Sequence, residues 1–152
     1  MYFFNIEKLK LDLISDKVSQ KDIFLYISIV AVLTAAMIEL VCFFPEEQYN
    51  LWDYVNSVML TLIPGLGIFW MYKSNGGNNG VKFAERYFAI TWVMVNRFVF
   101  LLVPVFFAIG ILDSENTDTK WWHVLVLNLW YLGYYWRSAK HTKDVANAAP
   151  HV

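Results

Sequence analysis

The sequence predicts an all-α membrane protein, a four-transmembrane-helix bundle with a short N-terminal interfacial helix. Hydrophobic residues make up 58% of the 152 residues and charged residues only 16%, whereas soluble domains are about 45–50% apolar and about 25% charged. The apolar residues are gathered in four long runs, and the charged residues are confined almost entirely to the connections. A soluble bundle is the competing interpretation, but the first and third runs lack the polar stripe of a soluble helix.

A helix rises about 1.5 Å per residue, so about 20 residues cross a hydrocarbon core of roughly 30 Å. Three runs reach that length, and the fourth reaches it if it extends to 139 or if the bilayer thins locally. The expected spans are 22–44, 51–72, 87–112 and 121–139. They form one domain, 22–139, between a cytoplasmic or interfacial segment, 1–21, and a cytoplasmic tail, 140–152, with no packing signal. Sequential spans with short loops are expected to be antiparallel neighbours.

The N-terminal segment shows apolar residues at helical spacing, with lysines between them. This pattern predicts a short helix on the cytoplasmic leaflet, and a disordered leader is the alternative. Ser19 followed by Asp22 predicts the cap of the first spanning helix. No small-residue cleavage site follows the first run, so we expect a membrane anchor and not a removed signal peptide.

The basic residues indicate the orientation. Ten of the twelve lysines and arginines lie on one side: nine in the two terminal segments and in the connection between the second and third runs, and Arg137 at the end of the fourth run. The other two connections are acidic or uncharged apart from Lys120. The positive-inside rule therefore places both termini in the cytoplasm, and the chain in a plasma or inner membrane.

The third run contains a charge, Arg97, in WVMVNRFVFLLVPVFF. A lone arginine at the bilayer centre costs about 2.5–3.5 kcal/mol on insertion scales. Glu39 is the only acid well inside a span, so we expect an Arg97–Glu39 ion pair between the first and third helices. Such a pair either fixes the packing of the helices or forms a site for an ion, a proton or an anionic ligand.

Other polar residues lie at similar depth in the half of the membrane farther from the termini. Asp53, Asn56 and Asn128 fall within the first turns of their helices, and depth alone allows Arg97 to meet Asn56 or Asn128. Asn96 is on a different face from Arg97, and we expect it to form an interhelical hydrogen bond.

The second run carries a stripe of small or polar residues, in which Ser57, Thr61 and Gly65 follow Asp53 at intervals of four. Small faces let helix backbones approach closely, so simple helix packing is the expected role. A hydrated path from the surface into the interior is the alternative.

The connection SNGGNNG, 74–80, is rich in glycine and asparagine and is flanked by Lys73, Lys82 and Arg86. These three cations near a helix start are candidate ligands for a phosphate or lipid headgroup. The connection lacks the spacing of a P-loop or a dinucleotide motif, and a flexible linker is the favoured interpretation.

Catalytic chemistry is poorly represented. No hydrolase or metalloprotease motif is present, so we do not expect an enzyme, and we expect neither a cofactor nor a metal. The single cysteine, Cys42, excludes an intramolecular disulfide, and a net charge of −1 gives no reason to expect nucleic acid as a partner.

Two functions remain. The first is a small interaction or assembly subunit in the lipid bilayer, which associates with itself or packs on another membrane protein. The second is a homo-oligomeric ion channel or small-solute transporter with an intramembrane polar site. Four spans enclose little volume, so a pore needs several copies.

Overall fold

The computed structural model describes residues 2–43, 49–112 and 118–148, apart from the side chains at 37, 40–43, 106, 109, 110 and 112. It has five α-helices: α1 (Ile6–Ile14), α2 (Gln20–Phe43), α3 (Leu51–Ser74), α4 (Phe83–Leu112) and α5 (Trp121–Ala148). A turn of 3-10 helix, Gly77–Asn79, joins α3 to α4, and these described ranges contain no strand. The all-helical prediction is confirmed. The Cys42 side chain and the chain ends beyond 2 and 148 lie outside the described residues.

The helices begin where side chains satisfy the free backbone N–H groups of the first turn. Ser19 Oγ accepts the backbone N–H of Asp22 at 3.1 Å, which confirms the predicted cap of α2. At α1, the side chain of Asn5 accepts the N–H of Lys8 at 2.9 Å. At the other end of the chain, α5 continues to Ala148 with His141, Thr142 and Val145 buried. The expectation of an unpacked tail from residue 140 is therefore wrong as far as 148.

Helices α2 to α5 form an open row in the order α2, α4, α5, α3, which we call the four-helix row. Helices α2 and α4 are parallel, because Gln20 lies beside Glu85 and Tyr26 beside Trp92. Helices α3 and α5 are also parallel, because Asn56 lies beside Asn128 and, farther along both helices, Gly67 lies against Tyr135. Of the sequential pairs, only α4 and α5 pack extensively within the described residues. The expectation that sequential spans are neighbours is therefore wrong for α2–α3 and α3–α4.

The buried core lies toward one end of the row, where α2 and α4 begin and α3 and α5 end. This end also carries Lys73, Lys82, Lys140 and Lys143, and we call it the basic end. Helix α1 packs there against α4 and α5, with Ile6 2% and Leu9 0% exposed. Toward the opposite end the row exposes large apolar side chains, among them Val32, Leu33, Ile38, Val58, Phe100, Val103, Phe107 and Ile111.

Two segments within the described residues are long and apolar enough to cross a membrane, Leu51–Ser74 and Phe83–Val105. Only 17% and 33% of their most apolar stretches are buried inside the protein. A long apolar core helix of a soluble protein would be mostly buried, because exposing apolar surface to water costs about 25 cal/mol per Å². The exposed faces of these two helices therefore favour lipid as their surroundings.

Candidate functional site

Arg97 binds the backbone of the N-terminal segment. Its Nε donates to the carbonyl oxygen of Phe4 at 2.7 Å, and its Nη2 donates to the same oxygen. Phe4 immediately precedes the cap of α1, so its carbonyl lies outside any helix. The guanidinium of α4 thus holds the start of α1 against the row.

The residues before α1 are held by α2 and α4 as well. The backbone N–H of Tyr2 donates to the hydroxyl oxygen of Tyr26 at 3.0 Å, and the ring of Phe3 meets Trp92 edge-on at 5.9 Å between centroids. Non-helical backbone in an apolar setting needs protein partners, since lipid offers no hydrogen bonds. Arg97 and Tyr26 supply those partners, and this accounts for an arginine inside an apolar run.

The predicted Arg97–Glu39 ion pair is absent from the described residues, and the Glu39 side chain is exposed. In the parallel pair α2–α4, Gln20 lies beside Glu85 and Tyr26 beside Trp92. That register puts Arg97 level with about residue 31 of α2, so Glu39 is about eight residues, or about 12 Å, farther along. The predicted Arg97–Glu39 pair is wrong because the arginine side chain extends toward the basic end and donates its hydrogen bonds to the backbone carbonyl of Phe4 there.

Asn96 forms its hydrogen bond within its own helix. Its Nδ2 donates to the carbonyl oxygen of Trp92 at 2.8 Å, one turn earlier in α4. The expectation of an interhelical bond at this position is therefore wrong. Short polar side chains such as asparagine can hydrogen-bond to backbone groups of their own helix. For Asn96 the acceptor is the carbonyl one turn earlier in α4.

Asn56 and Asn128 do join two helices. Asn128 is buried, and its Nδ2 donates to Asn56 Oδ1 at 3.1 Å and to the carbonyl oxygen of Val124 at 2.7 Å. Depth counting put these two asparagines at a similar level, and the parallel packing of α3 on α5 brings them together. Arg97 has no part in this contact, since it is bound to the carbonyl of Phe4.

The Asn56–Asn128 contact carries a testable coupling. In a double-mutant cycle with Asn56→Ala and Asn128→Ala, we expect a coupling free energy of about 0.5–1.5 kcal/mol, the range found for hydrogen bonds between membrane helices. Unfolding of the reconstituted protein by denaturing detergent measures it. Strictly additive effects of the two substitutions would show that the contact contributes nothing to stability.

Asp53 belongs to a capping box. Its carboxylate accepts the backbone N–H of Asn50 at 2.7 Å, while Asn50 Oδ1 accepts the N–H groups of Trp52 and Asp53. Asn50 also donates to the carbonyl oxygen of Thr119 at 2.9 Å, which ties the start of α3 to the start of α5. The acid thus begins a helix, as an acidic residue in a first turn commonly does.

The stripe of Ser57, Thr61 and Gly65 faces away from the protein. All three are exposed, no atom lies within 4 Å of a Cβ built on Gly65, and Thr61 donates only to the carbonyl oxygen of Ser57. The packing face of α3 instead carries Ile63, Gly67 and Met71. Within the described residues, the stripe therefore packs against no other helix.

The three cations around the α3–α4 connection are engaged with other protein groups. Lys82 Nζ lies 2.5 Å from Asp16, and Lys73 lies over the ring of Phe69. Arg86 is buried, and its Nη1 donates to the side-chain oxygen of Asn75 at 2.9 Å. These contacts leave the predicted headgroup site without support from the geometry.

The connection itself is organised by Asn75. Its backbone N–H caps α3, its Nδ2 donates to the carbonyl oxygen of Val81 at 3.2 Å, and its Oδ1 accepts from Arg86. Gly76 has a φ of 103°, which a residue with a side chain rarely adopts. The segment is therefore an ordered turn, in contrast to the flexible linker that the sequence favoured.

The partner of Arg97 could not be identified from the sequence, because a backbone carbonyl leaves no trace in the residue types. The contact of Gly67 with Tyr135 was not predicted either, although a glycine inside an apolar run is a signal of close helix approach. In the part of the chain that the structure describes, no three potential metal ligands lie close together. No family model, curated protein or solved structure matches this chain.

Proposed function

We propose that the protein is an integral membrane protein with four spans, formed by α2 to α5, and with both termini in the cytoplasm. The exposed apolar faces of α3 and α4 support the membrane location. In this arrangement the basic end lies at the cytoplasmic surface, where the exposed Lys140 and Lys143 face anionic lipid headgroups. Helix α5 continues beyond its expected span to Ala148, and α1 packs on it at this end.

Within that membrane, the protein acts as an assembly subunit that associates with a second copy of itself. One observation carries this proposal: the stripe of Ser57, Thr61 and Gly65 is exposed on α3, an end of the four-helix row. Lipid gains nothing from a face of small and hydroxyl-bearing residues, whereas an equivalent helix packs closely on it and accepts its hydrogen bonds. A symmetric pair needs only one such patch, because both subunits present the same surface.

The open row strengthens the same proposal. Helix α3 has extensive contact only with α5 among the spanning helices of the described chain, so most of its surface is available. A second copy on α3 would extend the row to eight helices and would cover apolar residues that now face outward. Packing on another membrane protein remains the related alternative, and it uses the same face.

The channel or transporter function has less support. The polar groups Arg97, Asn56 and Asp53 are each bound within the chain, and the exposed residues of α4 beyond Arg97 are apolar. Among the charged residues predicted to lie inside the membrane, Glu39 differs from Arg97 and Asp53, because it is exposed in the half of α2 away from the basic end. Ion flux into liposomes that Glu39→Gln abolishes would favour a channel over a subunit.

The particle mass in nanodiscs tests the association. We expect a dimer for the native chain and a monomer for Gly65→Leu, because a leucine prevents the close approach of the two α3 helices. Ala108→Leu adds a comparable bulk at an exposed position of α4 and should leave the dimer intact. A monomeric native protein, or equal loss of the dimer in both variants, would refute self-association through α3.

A further inference from the structure

A buried histidine lies where α1 packs on the end of α5. The His141 side chain is 4% exposed, and neither of its ring nitrogens has a hydrogen-bond partner among the described residues. An imidazole in such surroundings is neutral, since an imidazolium needs either water or acceptors for both of its N–H groups. His141 is beyond the proposed spans and serves no role in the contacts described so far.

The nearest carboxylate is shared between this histidine and a lysine of α1. Asp144 Oδ2 lies 3.2 Å from Lys10 Nζ and 3.8 Å from His141 Nδ1. Lys10 Nζ is also 2.9 Å from Glu7, and Arg137 lies one turn before His141 on α5. Lys10 is thus the polar link between the middle of α1 and α5, and Asp144 is the acceptor on which the link depends.

The charged groups on the other neighbouring helices are occupied elsewhere. At this level of the row, α3 carries Lys73, which lies over Phe69, and α4 carries Arg86, which is bound to Asn75. The groups that act on the His141 ring therefore come from α1, as Lys10 and Glu7, and from α5, as Arg137 and Asp144.

Helix α1 is held at three places along its length. Arg97 binds the carbonyl of Phe4 at its start, Lys10 binds Asp144 in its middle, and Lys82 of the α3–α4 connection binds Asp16 beyond its end. Between these places Ile6 and Leu9 are buried against the row. Of these three contacts, only the middle one adjoins a histidine, the side chain whose unperturbed pKa lies closest to neutral pH.

We propose that α1 is a strap, a helix docked on α5 at neutral pH that separates from α5 when His141 takes up a proton. When His141 takes up a proton, its Nδ1–H donates to Asp144 and competes with Lys10 for that carboxylate. The new positive charge also repels Lys10, and the imidazolium gains hydration if α1 moves away. Acid therefore separates α1 from α5 and uncovers the apolar surface around Ile6 and Leu9.

The pH window follows from the difference between the two states. While α1 is docked, the pKa of His141 is lowered from 6.5 to about 4; burial is the largest cause, and the charges of Lys10 and Arg137 also lower it, against the opposite effect of Asp144 and Glu7. With α1 released, the ring is hydrated and its pKa returns toward 6.5. The released state then binds a proton that the docked state does not, so falling pH favours release. Docking weakens by about tenfold per pH unit from pH 6.5 to about 4, and it is insensitive to pH above that window.

Electron-spin distance measurements on the full chain in nanodiscs test the strap. One label is attached through Leu11→Cys on α1, which is 66% exposed, and the other through Asn147→Cys on α5, with Cys42→Ser removing the native thiol. We expect a single short distance at pH 7.5 and a growing population of longer distances as the pH falls toward 4.5. In His141→Gln, which cannot take up the proton, the short distance should persist, whereas His151→Gln should behave as the native chain.

A distance distribution that does not change between pH 7.5 and 4.5 in the native background would overturn the proposal. The same holds if His141→Gln retains the full pH response. Should His141→Gln fail to fold, the titration of the native His141 ring by NMR decides the matter. An apparent pKa below 6.5 that rises when Ile6→Ala weakens docking without changing any charge supports the strap, and a pKa that Ile6→Ala leaves unmoved or lowers contradicts it.

Discussion

Gly67→Ala is expected to destabilise the protein by about 1–3 kcal/mol, the usual range for overpacking a tight core. A Cβ built on Gly67 would lie 2.2 Å from Cγ and 2.3 Å from Cδ1 of the Tyr135 ring, far inside contact distance. Gly67 is buried, and Tyr135 is buried against it in the parallel packing of α3 on α5. Relief requires either rotation of a buried tyrosine or separation of the two helices. Unfolding by denaturing detergent in mixed micelles measures the loss.

Gly65→Ala is the matched control, two residues earlier on the same helix. No atom lies within 4 Å of the Cβ that would be added there, and alanine is favoured over glycine in a helix by about 1 kcal/mol. We expect this variant to be as stable as the native chain or more so, under conditions that keep both monomeric. Equal destabilisation by the two substitutions would show that α3 and α5 do not approach each other through Gly67.

Arg97→Met should release the start of α1 while α4 remains in place. The substitution removes two hydrogen bonds from a charged donor to the Phe4 carbonyl, and such bonds are worth about 1.5–3 kcal/mol. The apolar run itself benefits, because a central arginine costs about 2.5–3.5 kcal/mol to insert. Amide hydrogen exchange should therefore accelerate by about 10- to 100-fold over residues 2–10, with little change in α4.

Two comparisons make this test specific. Asn96→Ala changes the adjacent residue, whose bond stays within α4, and should leave exchange over residues 2–10 as in the native chain. The charge reversal of Glu39→Arg with Arg97→Glu should not restore that protection, since the two side chains do not meet. Protection restored by the double reversal would show that they form the ion pair after all.

Some of the helix starts were visible in the sequence and others were not. Ser19 and Asp22, three residues apart, form a capping pattern that predicts the start of α2. The prediction is confirmed because such a cap depends only on neighbouring residues and not on the tertiary fold. The role of Asp53 was not predictable in this way. The sequence suggests an intramembrane polar site for it, whereas in the structure it completes a capping box with Asn50. The residue type indicated a polar group, but the partner of its carboxylate is the backbone N–H of Asn50, three residues earlier.

Of the polar contacts between helices, some could be anticipated from the sequence and others could not. Asn56 and Asn128 met because both lie near the start of their helices, and parallel helices match such positions. Arg97 could not be paired correctly from depth alone, since its side chain spans about 6–7 Å and can reach in either direction along the helix. The stripe of Ser57, Thr61 and Gly65 has the right spacing for packing, but spacing does not reveal which face of α3 meets α5.

The amino-acid sequence by itself determined that the chain is helical and where most of its helices run. It predicted four spans, and in the described residues two helices are long and apolar enough to cross a membrane. These properties depend on composition, periodicity and capping, which are local along the chain. Only the tertiary structure decided the order of the helices in the row, the docking of α1, the partner of Arg97 and the burial of His141. Those features depend on contacts between segments far apart in the chain, where a backbone carbonyl or a shared carboxylate can outweigh the most plausible opposite charge.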